Sequence, residues 1–71
     1  MDTPTPRIRN QFHGRIVGII RGEAHSEVDV STAAGIFTSV IETRILDQLG
    51  LDAGAMVIAI VKSADVRLAM P

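Results

Sequence analysis

The chain has 71 residues, 46% of them hydrophobic, and seven Lys and Arg against eight Asp and Glu give a formal charge of −1. That is enough for one small domain, too apolar for a disordered tail, and too acidic for a non-specific nucleic-acid binder. With no cysteine there is no disulfide framework, no thiol nucleophile and no Cys-based zinc site. The longest apolar runs, residues 56–61 and 16–20, fall far short of a bilayer span, so no membrane partner is expected. No segment has the charged-then-apolar layout of a signal peptide, which makes the cytoplasm the expected location. Aromatic residues are only 3% of the chain, and a domain this short rarely gains more than ~3–5 kcal/mol from its own core. The apolar excess therefore points to burial between subunits and to a homo-oligomer.

Residues 1–6 carry two prolines and two threonines and are expected to form a flexible arm ahead of a single domain over residues 7–70. Residues 10–21 are rich in β-branched and aromatic side chains (Phe12, Ile16, Val17, Ile19, Ile20) and are broken by Gly14 and Gly18. They read as a long first strand with a bend or bulge at a glycine, followed by a turn at residues 21–23. Residues 25–31 alternate strictly. Ala24, Ser26, Val28 and Val30 fall on one face and His25, Glu27, Asp29 and Ser31 on the other, the mark of a half-buried strand. A tight turn at residues 33–35 leads to a third strand over residues 36–42.

The period then changes. Ile45, Leu46 and Leu49 stand at helical spacing, with Thr43 placed to cap the start and Gly50 to close the end. After a turn at residues 51–54, residues 56–61 are apolar on both faces: Met56, Ile58 and Ile60 on one, Val57, Ala59 and Val61 on the other. A small barrel has one inside, so the second face is expected to meet another chain. Residues 65–70 read as a last strand with Val66, Leu68 and Met70 inward. Five strands with one short helix between the third and fourth give an all-β, OB-like, partly open barrel.

Little of this sequence suits catalysis. There is no Ser-His-Asp spacing, no Gly-rich phosphate loop and no HEXXH, so no enzyme is expected. Glu27 and Asp29 lie on an exposed strand face and read as a solvated or interface pair. What remains are donors near element ends: Arg7 and Arg9 before the first strand, Lys62 and Ser63 after the fourth. If they converge at one rim, two cations, a hydroxyl and backbone N–H groups suit an oxyanion.

Arg9, Asn10, Gln11, Phe12 and Gly14 carry a resemblance. The string is similar to the opening signature of molbindins, the small molybdate-binding (Mop or TOBE-type) domains, S-A-R-N-Q-F/L-x-G. Gly22 with Ser26, Glu27 and Val28 resembles that family's G-x-x-N-A-E-V. Two further strings follow in register: Leu49, Gly50, Leu51 and Gly54, then Ala59, Ile60, Val61, Lys62, Ser63 and Val66. The likeness covers about residues 7–70 and implies a single-module member. Such members form hexamers, as trimers of dimers, with molybdate or tungstate held between subunits and no organic cofactor.

Carried over by position, the resemblance gives an oxyanion set of Arg9, Lys62, Ser63, Arg7, Glu42 and Thr43. Arg7 stands where the family has a Ser. The family's I-T-x-x-S at the end of strand three reads Ile41, Glu42, Thr43, Arg44, Ile45 here, so a carboxylate and an alkyl chain replace two hydroxyls. Molybdate is a dianion with no proton to donate, and a facing Glu42 repels it. Three outcomes are open: Glu42 pairs with Arg7 or Arg44, it fills the pocket as a counter-anion, or it selects a protonated oxyanion such as hydrogen phosphate. A second family site, near a three-fold axis, corresponds to Gly22, Glu23, Ala24, His25 and Ser26. His25 stands where Asn is common, and three copies would suit an anion when protonated or a divalent metal when neutral.

Overall fold

A computed structural model describes residues 10–71. Four strands form one antiparallel sheet: β1 (Gln11–Ile20), β2 (His25–Thr32), β3 (Gly35–Glu42) and β4 (Met56–Ile60), in the spatial order β3-β2-β1-β4. The helix α1 (Thr43–Leu49) lies between β3 and β4, where the sequence places it. The expected irregularity in the first strand is also present, as a register shift between Ile16 and Gly18. It strengthens the local twist and lets the sheet curl into a half-barrel.

The curl has a core because β2 alternates. Ser26, Val28 and Val30 are buried while His25 and Glu27 are exposed. Ile16 from β1 and Leu46 from α1 complete a small buried cluster with Val28 and Val30, and Ile19, Ile41, Leu51 and Val57 pack around it. Leu46 is fully enclosed, so α1 plugs one end of the curl. The helix stops at Gly50, whose φ of 65° is left-handed, and Leu51 N–H reaches back to the Leu46 carbonyl at 3.3 Å. Gly50→Ala forces a Cβ into that conformation and is expected to destabilise the fold by about 1 kcal/mol. A shift of the urea midpoint at unchanged slope checks this.

Two sequence-based expectations differ from the structure. Thr43 does not cap α1: the N-cap position falls on Glu42, with no side-chain cap, and Thr43 is the first helical residue, its side chain turned into the protein. The fifth strand does not form within the chain either. Lys62 leads into a short 3-10 turn, Ser63–Asp65, and residues 66–71 have no ladder partner. Val66, Leu68 and Met70 are 50%, 96% and 90% exposed instead of inward. Both sides of β1 are taken by β2 and β4, so only the outer edges of β3 and β4 remain for a fifth strand, and a 3-10 turn separates residues 66–71 from β4.

The curl is open between β3 and β4. An apolar groove of about 580 Å³ runs there, lined by Val30, Phe37, Ile41, Leu51, Val57 and Ala59 among others. On β4, Val57 and Ala59 face inward, whereas Met56, Ile58 and Ile60 stay exposed on the outer face. Among the described residues no helix is long and apolar enough to cross a membrane.

Candidate functional site

The sequence-derived donors fall at two opposite rims. β1 begins beside the end of β4, with Gln11 opposite Ile60, and ends beside the start of β2, with Ile20 opposite Glu27. Its ten residues span about 30 Å of extended chain. Lys62 and Ser63 follow β4 at the first rim. Glu42, opposite His25 in the β2–β3 ladder, stands at the second. One chain therefore does not bring Lys62 and Ser63 to Glu42 and Thr43. Arg7, Arg9 and the arm over residues 1–6 lie outside the described residues.

At the first rim, Asn10 holds the turn. Its carbonyl accepts from Val61 N–H at 2.9 Å, and its side-chain amide donates to Ser63 Oγ at 3.3 Å. Ser63 Oγ thus accepts from Asn10 and keeps its own proton free to donate. Lys62 is exposed, and among the described residues no carboxylate pairs with it. A cation and an oriented hydroxyl donor side by side are what a small oxyanion needs. The role of Asn10 is not legible in the sequence beyond its place in a motif, because its side-chain partner lies 53 positions away.

The second rim is organised around a closed chain of hydrogen bonds. Thr43 Oγ1 donates to the Gly22 carbonyl at 2.8 Å, so the proton between Ser26 Oγ and Thr43 Oγ1, 2.7 Å apart, belongs to Ser26. Gly22 N–H in turn reaches Ser26 Oγ at 3.4 Å, and Thr43 N–H donates to the Ala24 carbonyl at 2.9 Å. A Cβ on Gly22 would sit 2.2 Å from the His25 carbonyl oxygen, so the turn closes only with glycine. Ser26 is 1% exposed and Thr43 9%. Both hydroxyl protons are committed inside the chain, which removes Thr43 and Ser26 as donors to a ligand in this conformation.

That ring predicts a stability effect. Thr43→Val keeps the shape but leaves Ser26 Oγ–H and the Gly22 carbonyl without partners, an expected loss of about 1–3 kcal/mol. Urea unfolding of the variant is the check.

The remaining second-rim residues are exposed. Glu23 and His25 stand outward, and Glu42 Oε1 accepts from Arg44 Nη2 at 2.9 Å. Arg21, just past the end of β1, pairs with Asp47 on α1 and ties the helix to the sheet. Of the outcomes open for Glu42, the structure presents pairing with Arg44. Among the described residues of one chain no group of three or more His, Cys, Asp or Glu side chains is placed to hold a metal.

The curled four-stranded sheet with a helix between β3 and β4 has known counterparts. Residues 6–68 match the model of the TOBE domain family. Molybdenum-pterin-binding protein 2 of Clostridium pasteurianum is 39% identical over 61 residues, spanning 84% of this chain and 90% of its own. MopII from the same organism superposes with a TM-score of 0.83 at 36% identity, covering 93% of this chain and all of that one. The cytoplasmic molybdate-binding protein ModG, in a molybdate-bound form, superposes with a TM-score of 0.84 at 29% identity, over 96% of this chain and 49% of its own. The chain belongs to the TOBE family, in its Mop-type molbindin branch.

Proposed function

We propose that the chain binds molybdate or tungstate in pockets between copies of itself, as a single-domain cytoplasmic protein that stores or buffers the oxyanion rather than an enzyme. The observation that carries this reading is the paired donor set at the first rim: exposed Lys62 beside Ser63, whose hydroxyl oxygen is held by Asn10 while its proton stays free to donate. Its relatives support the ligand, since MopII and the molybdenum-pterin-binding protein share the fold and more than a third of the aligned residues, and ModG holds molybdate. Arg9, next in sequence to Asn10, is proposed to complete this rim, with Arg7 beyond it.

The ~30 Å between the rims means that a pocket using both must draw them from different copies. Two features support self-association. The groove between β3 and β4 is apolar and unfilled, and residues 66–70 are an alternating apolar segment with nothing to cover it. Val66, Leu68 and Met70 of one copy fit the groove of another as an added strand, giving each barrel its fifth strand from a neighbour. The outer face of β4, with Met56, Ile58 and Ile60, offers a further contact, consistent with a hexamer built as a trimer of dimers. In such an assembly Gly22, Glu23, Ala24 and His25 of neighbouring copies form the second, three-fold site.

The deciding experiment is elemental analysis of the purified oligomer after dialysis against molybdate, alongside its mass. Bound molybdenum at a fixed ratio to protomer supports the reading, and an oligomer that retains none rejects it. A second reading keeps the assembly without the ligand, or turns it to another oxyanion such as phosphate. It is favoured by one observation, the Glu42–Arg44 ion pair, which already satisfies charge at the second rim.

A further inference from the structure

We propose that Arg44 is a further oxyanion-binding residue, and that Glu42 is the internal counter-charge that an incoming anion displaces from it. The proposal rests on the reading that the anion sits between copies and touches the second rim.

Arg44 Nη2 meets Glu42 Oε1 in a single contact, and the two side chains are 68% and 55% exposed. A guanidinium has five N–H donors in a planar fork, and among the described residues Arg44 spends one. The other donors expected at this rim are withdrawn, because the Thr43 and Ser26 protons are locked in the ring with Gly22. Arg44 is therefore the group best able to replace the two hydroxyls that the related signature carries.

Neither residue is explained by the helix it sits on. A cation in the first turn opposes the helix dipole. Glu42 stands at the N-cap position without capping, its carboxylate turned to Arg44 instead of to the helix N–H groups. The backbone under both is held: Thr43, between them, is buried, and its N–H and hydroxyl bond to Ala24 and Gly22. Two exposed, oppositely charged side chains thus project from a fixed platform, with Glu42 across the ladder from His25.

A tetrahedral oxyanion offers two oxygens at the spacing of the Arg fork. Its arrival exchanges one acceptor for another on the same donor, and an exposed ion pair of this kind holds its partner weakly. Glu42 then acts as a competitor that lowers affinity and makes release easier, and Arg44 as the ligand it guards.

Titration calorimetry with molybdate on the assembled oligomer tests this, using Glu42→Gln, Arg44→Gln, the double variant, Arg44→Lys and Lys62→Ala. Arg44→Gln is expected to weaken binding about tenfold, the loss of a charge-assisted contact. Glu42→Gln strengthens binding, and Arg44→Gln then has a larger effect in the Glu42→Gln background, where the whole fork is available. Arg44→Lys, which keeps the charge without the fork, falls between wild type and Arg44→Gln. If Arg44→Gln changes affinity less than about twofold in both backgrounds while Lys62→Ala weakens it, the role of Arg44 is overturned and the wider reading stands. If no protein binds, wild type included, both are overturned.

Discussion

Leu68→Asp combined with Met70→Asp is expected to reduce the proposed oligomer to folded protomers of 7.6 kDa. Both side chains are almost wholly exposed in the single chain, at 96% and 90%, while the groove between β3 and β4 has apolar walls with no strand against them. An exposed alternating segment and an open apolar groove in the same molecule are the two surfaces that the proposed exchange between copies would bury against each other. A carboxylate placed in that groove loses its hydration without gaining a partner, which is strongly unfavourable. Arg67→Asp is the control: it lies on the alternate side of the same segment, and the assembly survives it. Light scattering reads the mass, and circular dichroism shows whether the sheet persists, since the described core of Ile16, Val28, Val30 and Leu46 does not use the segment. A double variant that keeps the wild-type mass rejects the strand exchange.

Lys62→Glu is expected to abolish molybdate binding at the first rim. The milder Lys62→Ala removes one charge-assisted contact, a loss of about 1.5–3 kcal/mol, or roughly ten- to a hundredfold in affinity. Charge reversal adds repulsion against a dianion in a partly desolvated pocket and so exceeds the alanine effect. Asn10→Ala acts indirectly. It frees Ser63 from its 3.3 Å tether, and the expected loss is smaller than for Lys62→Ala because the hydroxyl remains but is no longer aimed. Titration calorimetry on the three variants ranks them. Equal heats for wild type and Lys62→Glu would make Lys62 a solvated strand end.

The order of elements was legible because each depends on neighbours close in sequence. Strict alternation in residues 25–31 forces β2 to bury one face, and the helical spacing of Leu46 and Leu49 ahead of Gly50 forces a short helix that stops there. The register shift falls beside Gly18, where a glycine inside a strand pattern marks a bulge. The Arg9 to Gly14 signature led to the family for the same reason: a motif is local.

Where distant residues decide, the residue types alone gave the wrong picture or an incomplete one. Thr43 is a good N-cap residue by type, but Ser26 and Gly22, 17 and 21 positions away, take its hydroxyl into the interior. Lys62 and Glu42 both read as strand-end residues. Only the antiparallel pairing of β1 with β2 and β4 assigns them to opposite rims, so a pocket that needs both needs two chains. Glu42 reads equally well in three roles from the sequence, and its contact with Arg44 is visible only in the structure. The period of two in Val66, Leu68 and Met70 fixes which side of the segment is apolar, but says nothing of what that side packs against. Alternation is a property of one strand, whereas the partner is set by which sheet edges the fold leaves open and where the preceding turn sends the chain.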